Sequence, residues 1–332
     1  MICPSLPMTD DAPPAESPSP LKKKSVTLAG LCECIAVLAL VCTWLGEFGR
    51  FGWMFDLMSH FRLQYAVICA VVLVIALLRR RTWLAVLALL STLWNVQIIH
   101  AFHQTAAAPG DRGEKPLRVM SYNVLMENPN HVAVIDQVLK ADADIVCLLE
   151  VDESWHPNLE PLRVKYPHRA EELSDGSFGI ACYTRLPLKS LGVRRFSAWK
   201  LPTFILNLDH LGHPLTFVAT HPIPPMSQQR AQEWRQQLTD VAALVTDLQG
   251  EVIVAGDFNA TPWCEGMRLL REKSGLDFRS VDPVWPPTWG CRLPMMIPID
   301  HVLVKGGLTI QKRTLGPEMG SDHRSLMVEI VR

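Results

Sequence analysis

Apolar positions follow two different patterns along this chain. Up to about residue 103 they form long runs: from about Ser25 to Leu45, with Glu33 the one acidic interruption, from about Leu63 to Leu78, and from Thr82 to about Phe102. Each run approaches the roughly 20 residues a helix needs to cross hydrocarbon, and none alternates like a strand. The pattern predicts three transmembrane helices within residues 25–103. From about Pro116 onward the runs shorten. Strands are expected at Leu117–Tyr122, Ile145–Leu149, Gly179–Tyr183, Thr203–Leu208, Leu215–Thr220, Val252–Ala255, Val302–Val304 and Leu326–Val331. Helices are expected near Val132–Lys140 and from about Gln228 to Leu248, which makes residues 116–332 an α+β domain.

Composition adds boundaries and an orientation. Residues 1–24 are rich in Pro, Ser and acidic groups and end in Lys22, Lys23 and Lys24, a disordered tail by composition. Residues 104–115 turn to Ala, Pro, Gly and charge, a linker. Basic clusters stay cytoplasmic, and both Lys22–Lys24 and Arg79–Arg81 are such clusters, two crossings apart. The third span then carries the domain to the extracytoplasmic face of what would be a bacterial-type plasma membrane. A cleaved signal peptide would fit the first run, but no small-x-small cleavage pattern follows it. Glu33, Asn95 and Gln97 fall at membrane depth, where polar groups of a small bundle hydrogen-bond between helices.

Charge and cysteine usage narrow the function. From Asp111 onward the chain carries 24 Lys and Arg against 27 Asp and Glu, which argues against coating nucleic acid by counterion release. The nine cysteines show no framework spacing, although Cys264 and Cys291 lie in loop-like sequence and could pair. No P-loop or dinucleotide-binding glycine pattern appears, and no Ser or Cys nucleophile with its own base is evident.

The candidate chemistry sits where apolar strands end, the position at which open sheets expose functional side chains. Asn123 ends Arg118-Val-Met-Ser-Tyr-Asn, and Glu150 ends Ile145-Val-Cys-Leu-Leu-Glu. A carboxylate capping an apolar strand is expensive to bury alone and needs a cation or a salt bridge. His221 follows Phe217-Val-Ala-Thr. In Val252-Ile-Val-Ala-Gly-Asp-Phe-Asn, Asp257 and Asn259 are two apart, so an extended backbone would project both to one face. Ile299-Asp300-His301 and Gly320-Ser-Asp322-His323 complete the set.

In this order, these motifs resemble the endonuclease/exonuclease/phosphatase superfamily over roughly Pro116 to Arg332, with Pro287-Thr288-Trp289 as its usual lead-in. The resemblance implies a DNase I-like four-layer αββα sandwich and a metal-dependent phosphodiesterase. Glu150 would be the principal Mg²⁺ or Mn²⁺ ligand, with Asn123 beside it and Asp322 closing the site. Asp257 would activate water and Asn259 would hold the phosphate. His323, oriented by Asp300, would contact the scissile phosphate, and His221 would stabilise the transition state. The domain, about 215 residues long, is short for the superfamily, and no second acidic partner for His221 is identifiable.

The substrate stays open between nucleic acid, a phospholipid headgroup such as that of sphingomyelin, and another phosphoester. Arg185, Arg230, Trp263, Trp285 and Trp289 are candidate substrate contacts for a nuclease, with core packing the competing reading for the tryptophans. Trp263 and Leu293–Met296 are candidate lipid-facing loops. A non-catalytic membrane protein that uses the sandwich as a binding module is the alternative from another class, and the intact carboxylates and histidines argue against it.

Overall fold

The computed structural model describes residues 27–102, 115–278, 280–281, 286–290 and 295–332. The expected N-terminal tail, most of the expected linker, Trp285, Cys291 and residues 293–294 lie outside the described residues.

The N-terminal part forms helices α1 (Leu28–Leu45), α2 (Trp53–Met58), α3 (Arg62–Leu78) and α4 (Thr82–Phe102), with a 3₁₀ segment Gly46–Phe51 after α1. Two stretches, Gly30–Phe51 and Thr82–Phe102, are long and apolar enough to cross a membrane. Two of the three expected spans are thus of full length; α3, the third, has 17 residues, about 25 Å at 1.5 Å per residue, and is a shorter apolar helix. Small residues let the helices approach, with Ala39, Cys69 and Ala88 buried at their contact.

One end of this bundle is tied by buried polar groups. Arg62 donates to the Thr43 carbonyl at 2.7 Å and to Glu47 at 2.6 Å, and Asn95 donates to Thr43 Oγ1 at 2.8 Å. Asn95 therefore bridges helices as expected, whereas Glu33 and Gln97 are exposed.

The rest of the chain forms two sheets. One is six-stranded, built from β1 (Leu117–Asn123), β2 (Ile145–Leu149), β3 (His168–Glu172), β4 (Ile180–Thr184), β10 (Thr309–Leu315) and β11 (Leu326–Val331), in the order β10-β11-β1-β2-β4-β3. The other holds β5 (Leu188–Phe196), β6 (Leu201–His210), β7 (His213–Thr220), β8 (Glu251–Asp257) and β9 (Asp300–Lys305), in sequential order.

Alternation along each strand builds the layers. In β2, Ile145, Cys147 and Leu149 point into the space between the sheets and meet Phe217, Ala219, Ile253 and Ala255. The intervening Val146 and Leu148 pack outward against α5 (His131–Ala141) and α6 (Glu160–Lys165). Val218, Val252 and Val254 face outward from the second sheet onto α7 (Gln228–Asp247) and α8 (Glu265–Ser274). Helix, sheet, sheet, helix is the resulting order, the expected αββα sandwich. Because both faces of these central strands are covered, they read as continuous apolar runs.

Strand direction collects the candidate residues at one edge. β1 and β2 are parallel, as are β7 and β8, while β11 runs antiparallel to β1 and β9 antiparallel to β8. The C-terminal ends of the first four and the N-terminal ends of the last two therefore share an edge. Close approach at β8 depends on Gly256: a Cβ there would lie 1.8 Å from the Thr220 carbonyl oxygen. Since that atom belongs to the backbone of the adjacent β7, the two strands would have to separate. We expect Gly256→Ala to destabilise the domain by about 3 kcal/mol or more, read as a lowered urea midpoint at unchanged slope.

Candidate active site

Asp257 is the hub of the edge. Its carboxylate is buried at the end of β8, where Oδ2 accepts from Asn123 Nδ2 at 3.1 Å and lies 3.5 Å from His221 Nε2 and 3.6 Å from His323 Nε2. Oδ1 accepts from the Asn259 backbone N–H at 2.8 Å. That bond closes a tight turn, and Asn259 has φ of 51°, so the segment is not extended. Asp257 and Asn259 do meet, but through a turn and not through the strand alternation expected from their spacing. The Asn259 amide donates to the Pro222 carbonyl at 3.0 Å and lies 3.5 Å from His221 Nε2, which ties the loops after β7 and β8 together.

Glu150 approaches from the other sheet. It follows β2 in a left-handed conformation, φ 61°, a backbone state that strains a residue with a Cβ and recurs at functional sites. Its Oε1 accepts from Asn123 Nδ2 at 2.8 Å, the same nitrogen that donates to Asp257. Two carboxylates are thus held on either side of one amide. Burial pushes the Glu150 carboxyl above its usual range, and the nearby Asp257 charge adds to that push. A bound cation would remove both penalties, so these oxygen donors fit a hard divalent ion.

The histidines are set by their acidic neighbours. His323 Nδ1 lies 2.8 Å from Asp300 Oδ2. Burial would lower the His323 pKa, but the Asp300 and Asp257 charges outweigh it and raise it to about 10. Burial would likewise raise Asp257, and the His323 charge with the His221 contact brings it to about 2. His221 is shifted upward because Asp257 outweighs its burial. Its ring packs on Phe178 at 5.3 Å, and its buried Nδ1 has no hydrogen-bond partner among the described residues.

Asp257, Asp300 and His323 are close enough together to hold a metal ion. The same trio is a charge-coupled acid and base set, with His323 between the Asp257 and Asp300 carboxylates. Asp322 is oriented differently: Trp289 Nε1 donates to its Oδ2 at 2.9 Å.

Of the candidate substrate contacts, Arg185, Arg230 and Trp289 fare unevenly. Arg185 is paired with Asp142 at 2.6 Å and Asp144 at 3.6 Å. Those acids precede β2 while Glu150 follows it, so Arg185 belongs to the opposite edge and the expectation of a substrate contact is corrected. Arg230 stacks over the Trp199 ring at 5.7 Å in the first turn of α7. Trp289 does reach the site, but its polar nitrogen is committed to Asp322. Cys264, the described half of the candidate disulfide, is buried as a thiol beneath α8.

Several supporting residues escaped the sequence reading. Thr288 Oγ1 accepts the backbone N–H groups of Ile299 and Asp300 at 3.1 and 3.0 Å. Ser321 Oγ donates to the Asn123 carbonyl at 2.8 Å and accepts from the His323 N–H at 3.0 Å. His301, kept neutral by burial with its pKa near 4, bonds the Ala260 carbonyl at 2.7 Å. Ser321 and His301 stand inside motifs that drew attention for their acidic neighbours, and Thr288 stands inside the Pro287-Thr288-Trp289 lead-in.

Comparison with known proteins agrees with this geometry. Residues 120–323, more than half of the chain, match the Endonuclease/Exonuclease/phosphatase family. The chain belongs to that family. Members of that family are hydrolases acting on phosphodiester bonds. A UPF0294 protein of Vibrio vulnificus is 28% identical over 247 residues, covering 70% of this chain and 82% of its own length. Among solved structures, an endonuclease/exonuclease/phosphatase from Beutenbergia cavernae aligns with a TM-score of 0.55 at 18% identity, over 65% of this chain and 72% of that one. TDP2 of D. rerio, complexed with a single-strand DNA product, aligns with a TM-score of 0.54 at 16% identity, over 66% of this chain and 100% of that one. At these identities the structures speak for the shared fold.

The charge coupling around His323 is open to direct test. We expect its imidazole to stay protonated at pH 8 in NMR titrations, and Asp300→Asn to bring its pKa down by at least about one unit, since the Asp300 charge is the largest influence raising it.

Proposed function

We propose that this chain is a membrane-anchored phosphodiesterase that uses one divalent cation, Mg²⁺ or Mn²⁺, and an activated water. The observation that carries the reading is Asp257: one buried carboxylate facing two histidines, with Asn123 linking it to Glu150 on the opposite sheet.

Glu150, Asn123 and Asp322 would hold the cation. When bound, it supplies positive charge to a nonbridging phosphate oxygen. The remaining steps belong to the chain's own side chains. Asp257, ionised at neutral pH, orients a water and accepts its proton as the oxygen attacks phosphorus. Asn259 and His221 donate toward the phosphate oxygens as charge builds on them. His323 is held protonated by Asp300 and provides positive charge and a proton at the departing oxygen.

Anchoring rests on the two long apolar helices and on the direction of the bundle. The Arg79–Arg81 turn lies at one end of α3, while Arg62 and the segment that meets the catalytic domain lie at the other. With α3 taken as a short third crossing, its 17 residues at the lower end of the length a span needs, this supports a cytoplasmic arginine turn and an extracytoplasmic domain.

Asp257→Asn and His323→Ala should each lower Mg²⁺-dependent hydrolysis of bis-p-nitrophenyl phosphate by about 10²–10⁴-fold while leaving the thermal unfolding transition in place. EDTA should abolish turnover, and added Mg²⁺ or Mn²⁺ should restore it. Wild-type turnover by both variants with metal present would refute the catalytic assignment. Topology is checked separately with a reporter fused after Arg332, which is expected to be active only outside the cytoplasm.

A further inference from the structure

The edge that carries the active site is fastened to the membrane bundle at three places. In the loop after β8, His60 Nδ1 accepts from the Thr261 N–H at 3.3 Å and lies 2.9 Å from Thr261 Oγ1, and Trp263 Nε1 donates to the His60 carbonyl at 3.3 Å. In the loop after β7, Pro225 lines a small gap with Trp53, Leu57 and His60. In the segment leading to β9, the Met296 carbonyl accepts from Gln64 at 2.9 Å. Behind these loops, Asp56 accepts from the Glu265 N–H at 2.8 Å, and Arg235 donates to the Gly49 carbonyl at 2.6 Å.

His60 stands two residues before α3 and Gln64 lies in its first turn. The catalytic edge therefore faces the bundle end. Four residues separate Asp257 from Thr261, a reach of at most about 14 Å. The polar layer of a bilayer is roughly 5–8 Å deep on each side, so the largest separation of Asp257 from the residue that meets His60 is comparable with two headgroup depths. The same end exposes apolar side chains: Phe51 and Met54 on the bundle, and Met226 at the far end of the loop that begins at His221. Side chains of this type settle at the boundary between headgroups and acyl chains.

On the strength of the phosphodiesterase reading, we infer that the substrate is the phosphodiester of a phospholipid in the leaflet at this face, reached without the lipid leaving the bilayer. The water oxygen bonds to phosphorus and one P–O ester bond breaks. The water's proton passes to Asp257, and the departing oxygen takes a proton from His323. The products are a phosphomonoester and an alcohol.

The test uses the full chain reconstituted into vesicles of phosphatidylethanolamine and phosphatidylglycerol with Mg²⁺. Lipid products are followed by mass spectrometry, and bis-p-nitrophenyl phosphate and a single-stranded oligonucleotide are assayed in parallel. Lipid cleavage should exceed oligonucleotide cleavage by at least about tenfold, because enzyme and lipid share one surface. The double variant Gln64→Ala, Arg235→Ala should lose lipid cleavage by about tenfold while keeping turnover of the soluble diester. Turnover of the soluble diester with intact lipids, or faster cleavage of the oligonucleotide, would overturn the lipid assignment and leave the hydrolase reading standing. Failure on all three substrates would remove both. Equal loss of both activities in the variant would show that docking serves the integrity of the edge and not access to lipid, and would overturn the inference.

Discussion

A carboxylate buried at the end of an apolar strand cannot stay ionised without positive charge or hydrogen-bond donors around it. Asp257 is such a group, and much of the site follows from satisfying it. Asn123 from the other sheet, the turn at Asn259, and the imidazoles of His221 and His323 all converge on its two oxygens. His323 in turn requires Asp300, and Asp300 sits on backbone fixed by Thr288. The two sheets are joined at their functional edge by charge and amide contacts, while apolar side chains join them everywhere below it.

This arrangement separates two electrostatic tasks. On one side of the Asn123 amide, the charge of Asp257 is matched by histidines. On the other, Glu150 accepts from the Asn123 amide and the Met126 N–H and shares with Asp257 the charge of the single imidazole of His221. The asymmetry creates a place for an external cation beside a base that is already neutralised. Preorganised charge of this kind needs little rearrangement during a reaction.

The N-terminal helical bundle is more than an appendage of the sandwich. The connection between α1 and α3 and the first turn of α3 together touch three active-site loops, through hydrogen bonds as well as packing. His60 takes part as a neutral ring, because burial lowers its pKa to about 4. A neutral acceptor at that position suits the Thr261 N–H it receives.

The sequence alone determined where long apolar helices give way to the sandwich, the central strands, and the eight polar residues at strand ends. Those features are local: apolar runs of fixed length, alternation, and a polar residue where a run stops. It did not reveal β3, β5 or β10, and all three lie at sheet edges. Edge strands such as Leu188–Phe196 keep charged, exposed side chains that prevent further pairing, and this erases the apolar signal. Tertiary structure also decided what spacing cannot encode. Arg185 belongs to the wrong end of its strand, Trp289 spends its donor on Asp322, and Asn259 reaches Asp257 through a turn. The docking of His60 on Thr261 spans 201 positions, a distance along the chain at which no periodicity survives and only the folded contact remains.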